Sequence, residues 1–99
     1  MTYAHVFDIT GPPELYDAMH AEFMKYPTDG MLLHVARPTD GGVQVVEVWT
    51  SAEAFGAWAA ANMGPAIGAV TAAGWTVPQI APTTFDPVGL IVPAAGIES

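Results

Sequence analysis

The hydrophobic and polar positions along the first half of the chain predict a strand, a helix and a hairpin. In "YAHVFDI", apolar and polar positions alternate with the period of a strand. In "PPELYDAMHAEFMKY", apolar side chains recur at helical spacing after prolines that suit a first helical turn, so a helix is expected to end before Pro27. The runs "MLLHVARP" and "VQVVEVW" flank "TDGG", and Asp40-Gly41 predict a two-residue type I′ turn between them.

The second half predicts a divided helical segment. "TSAE" is typical of a helix start in which Thr50 caps and Glu53 reaches back to it. The helix is expected to end near Asn62, and Pro65 then begins a second helical piece that Gly74 stops.

The order of these elements predicts the fold. "TVPQIAPTTFDPVGLIVP" permits only a short strand near Thr83 to Val92, which Pro87 confines to a sheet edge. The resulting β-α-β-β-α-β order is the α+β, ferredoxin-like split βαβ arrangement, an antiparallel four-stranded sheet with both helices on one face. Residues 1–92 are expected to form a single domain and residues 93–99 a frayed C-terminal tail. The uncovered sheet face predicts a homodimer, because two copies can pack their sheets together.

The amino-acid composition disfavours two classes of binding partner, nucleic acids and membranes. The 99 residues are 52% apolar and 12% charged, and two Lys+Arg against ten Asp+Glu give a net charge of −8, which disfavours nucleic acid and anionic membranes. The weakly charged stretch from Ala54 to Val70 is interrupted at Gly64-Pro65, so no membrane span is expected. The chain lacks cysteine, and its first residues do not resemble a signal peptide, which favours the cytoplasm.

The hairpin contains the strongest candidate for chemistry. A two-residue turn places His34 opposite Glu47, whereas a loop that included Gly42 would put them on opposite faces. Their side of the hairpin is mixed, and it also carries Leu32, Ala36, Val45 and Trp49. The reverse side is expected to be plain core, with Met31, Leu33, Val35, Val46 and Val48.

His5 can approach the same carboxylate, because β1 lies beside β3 in the predicted sheet. A carboxylate between two imidazoles would orient them and raise their basicity, so His34, Glu47 and His5 are the candidate catalytic residues, with His34 as general base. Two alternatives stay open. The three residues could form a buried network whose hydrogen bonds are purely structural, or they could bind a metal ion. Because metal-ligand spacing, phosphate-loop and redox motifs are missing, no metal and no cofactor are expected.

Aromatic side chains supply the candidate binding residues for a small aromatic or apolar ligand. Phe55, Trp58 and Asn62 share one helix face, although Trp58 could instead be core, as aromatic stripes usually are, and Asn62 a helix-end group. His20 follows Tyr16 by four residues and is interpreted as part of an exposed surface pair. The other wall is expected to carry Tyr3, Phe7 and Trp49.

At "VEVWTSAEAFGAW" the chain resembles the antibiotic-biosynthesis monooxygenase group of the dimeric α+β barrel superfamily, and with "GMLLHVARPTDGGVQVVEVW" the resemblance covers about Tyr3 to Val92. It implies ferredoxin-like dimers with a pocket between sheet and helices. Members of the superfamily include cofactor-free monooxygenases that oxidise polyketide aromatics to quinones, cyclases, isomerases and heme-degrading enzymes.

The resemblance also carries over residue by residue. Trp58 falls where heme-degrading members carry a pocket tryptophan, but Gly68 stands where they have their axial histidine, so heme is not expected. The "AHV" of β1 resembles the "KHL" of plant-type polyketide cyclases, which matches His5 to a catalytic histidine, while their second histidine has no counterpart. Asn62 and Trp58 resemble the Asn and Trp of the quinone-forming group, whose neighbouring tyrosine is missing.

Three hypotheses follow. The first is a small dimeric, cofactor-independent enzyme that removes a proton from an aromatic or polyketide-like compound, whose anion reacts with oxygen, closes a ring or isomerises. The second is a non-catalytic binder of a small apolar ligand, and the third is an assembly module without a pocket. Buried His5, His34 and Glu47 favour the first two.

Overall fold

The computed structural model describes residues 2–98 as a four-stranded antiparallel sheet with two helices packed on one of its faces. The strand order is β2-β3-β1-β4, which confirms the predicted ferredoxin-like topology and the pairing of β1 with β3. The elements are β1 (Tyr3–Thr10), α1 (Pro13–Phe23), β2 (Met31–Thr39), β3 (Gly42–Trp49), α2 (Ala52–Ala72), β4 (Thr83–Phe85), β5 (Ile91–Val92) and β6 (Ile97–Glu98).

The hairpin between β2 and β3 has the predicted length but not the predicted turn type. Thr39 pairs with Gly42 and His34 with Glu47, so the loop is the two residues Asp40 and Gly41. Neither has a positive φ, and a type I′ turn is therefore excluded. The Gly41 carbonyl accepts a hydrogen bond from the Gly11 amide at 3.0 Å, so contact with the end of β1 also orients this turn.

A bulge at the start of β2 changes which side chains share a face. Leu33 pairs with Val48, but Met31 pairs with Trp49, so the register shifts between Met31 and Leu33. Met31 consequently lines the cavity between sheet and helices. The prediction that placed Met31 on the reverse face was wrong, because strict alternation does not anticipate an extra residue.

Helix α2 is longer than predicted and starts one residue later. Ser51, not Thr50, is the N-cap, and its hydroxyl oxygen accepts the Ala54 amide at 3.0 Å. The helix continues through Pro65 to Ala72, so the predicted break at Gly64-Pro65 was wrong. Packing explains the difference, because buried Ala66 and Val70 hold the helix beyond the proline against the rest of the fold.

The core lies between the sheet and the helices. It is formed by Ile9, Val43 and Val45 from the sheet and Leu15, Met19 and Val70 from the helices. On the other sheet face, Leu33, Val35 and Phe85 are exposed by 39%, 49% and 42%. An apolar sheet face is thus open to solvent in the single chain.

The C-terminal part contributes little to the sheet. Strand β4 lies on the sheet edge beside β1, as expected, but it spans only the three residues Thr83 to Phe85 and ends before Pro87. The predicted tail instead begins with a short 3-10 turn, and β5 and β6 pair with each other over two residues each. Ser99, the last residue of that tail, lies outside the described residues. Within residues 2–98, neither helix combines the length and apolar character needed to cross a membrane.

Candidate active site

The Glu47 carboxylate is the centre of a buried hydrogen-bond network on the helix-facing side of the sheet. Its Oε1 accepts the His5 Nε2 proton at 3.0 Å and the Trp49 indole proton at 3.2 Å. Its Oε2 accepts from His34 Nδ1 at 2.7 Å. Glu47 is 8% exposed and His5 1%, so the register of three adjacent strands buries this polar group.

The network keeps Glu47 ionised. Burial alone would raise the pKa of Glu47, but hydrogen bonds from His34, His5 and Trp49 outweigh it and lower the pKa from 4.5 to about 2. A carboxylate can only accept hydrogen bonds, so His34 carries a proton on Nδ1 and His5 on Nε2. The remaining nitrogens, His34 Nε2 and His5 Nδ1, are acceptors when the rings are neutral.

Two tyrosines and a third histidine extend the network. The Tyr16 hydroxyl lies 2.7 Å from His34 Nε2 and 3.3 Å from His20 Nδ1, and the Tyr3 hydroxyl lies 3.4 Å from His5 Nδ1. Burial raises the pKa of Tyr16, and the negative charges of Glu47 and Asp17 raise it further. Tyr16 is therefore a neutral hydroxyl at physiological pH.

A cavity of about 780 Å³ lies between this network and the helices. It is lined by predicted site residues from both layers, namely His5, Phe7, His34, Glu47, Phe55 and Trp58. Most of its remaining wall is apolar, with Met19, Phe23 and Ile67 among the lining residues. The Trp58 indole Nε1 is buried and has no hydrogen-bond partner among the described residues.

Three predicted binding residues lie elsewhere. Trp49 is fully buried beside Glu47 and Trp58, so it braces the carboxylate, and the prediction that it stacks on a ligand was wrong. Tyr3 stacks on Phe55 with ring centroids 5.3 Å apart and borders a separate shallow depression. Asn62 is half-buried on α2, and the described cavity wall is formed at this turn by its neighbour Met63.

Tyr16 and His20 were not among the residues predicted for the site. Both line the cavity, and the His20 ring lies 5.4 Å from that of His34, so the prediction of a surface pair was wrong. Helical spacing shows that the two share one helix face, on which Tyr16 and His20 are neighbours of the buried Leu15 and Met19. The position of these residues relative to buried Met19 was the available signal.

The charged side chains around the cavity limit the kinds of ligand that it can bind. The chain has only two basic side chains, Lys25 and Arg37, and both are exposed and outside the cavity wall. No cluster of three His, Cys, Asp or Glu side chains within residues 2–98 is arranged to hold a metal ion. The only fixed charge on the described wall is the Glu47 carboxylate.

Solved structures share this fold. A heme-degrading protein of Mycobacterium tuberculosis, MhuD, solved with two hemes in its active site, is 30% identical over 90% of this chain and 98% of its own, with a TM-score of 0.57. SnoaB, a cofactor-independent oxygenase from Streptomyces nogalater, is 21% identical over 91% and 94%, with a TM-score of 0.56. A Deinococcus radiodurans protein assigned to the antibiotic biosynthesis monooxygenases is 19% identical over 92% and 96%, with a TM-score of 0.63. Neither a protein-family model nor a curated protein matches the chain.

The fold and the cavity between sheet and helices define a ferredoxin-like α+β protein. The chain belongs to the antibiotic-biosynthesis monooxygenase-like group of this superfamily, as its sequence indicated.

Proposed function

We propose that the protein is a cofactor-independent enzyme that removes a proton from a neutral aromatic or polyketide-like small molecule bound in the cavity. The observation that carries the proposal is the Glu47–His34 hydrogen bond of 2.7 Å on the wall of an otherwise mostly apolar cavity. The cofactor-independent oxygenase activity of SnoaB is consistent with this proposal.

His34 is suited to act as the base. Its Nδ1–H is held by Glu47, which leaves Nε2 as the acceptor, and the carboxylate stabilises the imidazolium that forms when Nε2 takes a proton. His5 and Trp49 fix Glu47 from the other side. The substrate anion then reacts with molecular oxygen, or it closes a ring or isomerises without an oxidant. In the oxygen reaction a CH₂ carbon takes up O₂ and loses water, which leaves a ketone.

The rest of the cavity is suited to a flat ring system. We propose that Phe55, Trp58 and Phe7 contact the rings, and that the buried, unpaired Trp58 indole N–H donates to a substrate oxygen after a change of rotamer. The predicted roles of Tyr3 and Asn62 become indirect: Tyr3 supports Phe55 and His5, and Asn62 lies beside the cavity-lining Met63.

Heme does not fit these residues, although MhuD binds it. The cavity wall offers no Lys or Arg to pair with the two carboxylates of heme. His5 and His34 use both ring nitrogens in hydrogen bonds, and Nδ1 of His20 contacts Tyr16. We therefore assign no step to heme.

The test uses anthrone, a neutral tricyclic ketone with an acidic CH₂ group. Under nitrogen in D₂O, the protein should catalyse deuterium exchange at that carbon, measured by proton NMR, and in air it should catalyse oxygen uptake. His34→Gln should lower the exchange rate about a hundredfold. Arg37→Gln, on the same strand but exposed, is the matched control and should exchange at the parent rate. Equal rates for parent and His34→Gln would remove His34 from the mechanism.

The second candidate is a non-catalytic binder, which is favoured by the fact that both carboxylate oxygens of Glu47 already accept hydrogen bonds from inside the protein. Mass spectrometry of small molecules released on denaturation separates the two. A retained aromatic compound that the parent protein never turns over would support the binder. Release of such a compound together with anthrone exchange would support the enzyme.

We also propose that two copies pack through the exposed sheet face that carries Leu33, Val35 and Phe85. The cytoplasmic location expected from the sequence stays a prediction.

A further inference from the structure

The basic nitrogen of the base proposed above already has a hydrogen-bond partner. His34 Nε2, the nitrogen that would take the proton, already lies 2.7 Å from the Tyr16 hydroxyl. Tyr16 itself lines the cavity. A substrate must therefore displace Tyr16 to reach His34, or exchange its proton through the Tyr16 hydroxyl.

The hydrogen bonds determine where the Tyr16 proton points. His34 donates from Nδ1 to Glu47, so its Nε2 has a free electron pair and Tyr16 must be the donor in the 2.7 Å contact. Because Tyr16 has one proton, His20 Nδ1 must be the donor in the 3.3 Å contact. A hydroxyl oxygen has two acceptor positions, so one remains for a substrate.

We propose that Tyr16 is a catalytic residue that accepts the substrate proton on its oxygen while it passes its own proton to His34, and that His20 is a positioning residue for Tyr16. This inference rests on the proposed function. The substrate X–H bond breaks, a new O–H bond forms on Tyr16, and the former Tyr16 proton binds His34 Nε2. The products are the substrate anion, neutral Tyr16 and an imidazolium paired with Glu47, so charge and atoms balance.

The surroundings of Tyr16 favour this exchange over ionisation of the tyrosine. Burial and the nearby carboxylates of Glu47 and Asp17 raise the pKa of Tyr16, so a tyrosinate is disfavoured. His20 on α1 and His34 on β2 are the other titratable groups facing it. The cavity-lining residues of α2 are uncharged. In the exchange Tyr16 is neutral before and after the transfer, so its raised pKa does not oppose the step.

The same wall defines the substrate class. The substrate must donate a proton to Tyr16, and it must be electrically neutral beforehand, because a carboxylate would face Glu47 without any basic side chain on the cavity wall. We therefore infer neutral phenols and enols, with the acidic group at one edge of an apolar ring system.

The test uses β-naphthol, a neutral phenol that becomes a much stronger acid when electronically excited. Bound to the parent protein, it should transfer its proton and emit mainly as naphtholate. Tyr16→Phe and His34→Gln should each lower the naphtholate-to-naphthol emission ratio several-fold, because each interrupts the path. Tyr26→Phe, the same substitution at a residue outside the cavity wall, is the matched control and should leave the ratio unchanged.

Binding is measured separately with β-methoxynaphthalene, which has the same rings and no acidic proton. Equal affinity of Tyr16→Phe for this probe would show that its cavity is intact. An unchanged emission ratio in Tyr16→Phe would overturn the relay. If the parent protein bound neither naphthalene, the substrate class would be wrong.

The anthrone assay distinguishes failure of the relay from failure of the proposed function. Tyr16→Phe should lower the deuterium-exchange turnover number at least about tenfold with little change in KM. Parent-like exchange in Tyr16→Phe would leave His34 as the base and remove Tyr16. Absence of exchange in the parent protein, with the β-naphthol result intact, would instead overturn the enzymatic function.

Discussion

At the scale of single residues, the site depends on the ionised Glu47. It accepts three hydrogen bonds from three different side chains, two of which line the cavity. Charge-assisted hydrogen bonds of this kind are stronger than neutral ones and offset the cost of burying the carboxylate. The arrangement that orients His34 for the proposed proton transfer therefore also stabilises the fold.

This leads to a prediction about acid stability. Because folding lowers the pKa of Glu47 from 4.5 to about 2, its contribution is complete above pH 4.5 and is lost as the pH falls through about 2. The full contribution is about 3 kcal/mol of unfolding free energy. Urea unfolding between pH 2 and 7 should show that Glu47→Gln is less stable than the parent near neutrality, and that the difference shrinks below pH 4.5. A difference that stayed constant with pH would contradict the assigned ionisation.

At the scale of elements, the contact between the β2–β3 hairpin and β1 sets the geometry of the site. A Cβ added at Gly42 would lie 2.0 Å from the Ile9 carbonyl oxygen, so only glycine permits β3 to approach β1 this closely. At Gly41, an added Cβ would meet nothing within 4 Å, and φ is not positive. These adjacent glycines have different roles.

Alanine substitutions should separate these roles. Gly42→Ala should lower the unfolding free energy by about 2 kcal/mol or more, because backbone must move to relieve the clash. Gly41→Ala should change it by less than about 0.5 kcal/mol, and it serves as the matched control. Thermal or urea unfolding of both variants measures the effect. Similar stability of both variants would show that β1 and β3 are not this close.

At the scale of the whole molecule, the two sheet faces differ in their side chains and in what covers them. One face carries the polar network and the helices, and the other presents apolar side chains to solvent. Because the net charge of −8 makes the acidic surfaces of two copies repel each other, we expect the copies to associate through the apolar face alone.

The predicted dimer can be tested by sedimentation. The parent protein should sediment as a dimer, and Val35→Glu should shift it to a monomer, because a charge would be buried at the sheet interface. Ala60→Glu, exposed on α2, introduces the same charge on the opposite layer and should remain dimeric. A monomeric parent protein would overturn the prediction, as would a dimer that persisted in Val35→Glu.

Much of the fold and half of the site could be predicted from sequence, because both depend on local patterns. Strand alternation and the short Asp-Gly loop are properties of neighbouring residues, and they suffice to place His34 opposite Glu47. The β-α-β-β-α-β order then brings β1 beside β3, which places His5 opposite the same glutamate. The element order and the central Glu47–histidine cluster thus followed from the sequence by itself.

Only the tertiary structure decided the remaining features, because they depend on contacts between distant segments. Packing of α1 on the sheet turns Tyr16 and His20 inward to His34. Helical periodicity places both beside buried Met19 but does not specify their contact with His34. Packing against the rest of the fold likewise allows α2 to continue past Pro65. The bulge beside Met31 shows that strand pairing can override the alternation of side chains between the two sheet faces. Sequence determined which groups could meet across the sheet, and the distances between layers decided which of them face the cavity.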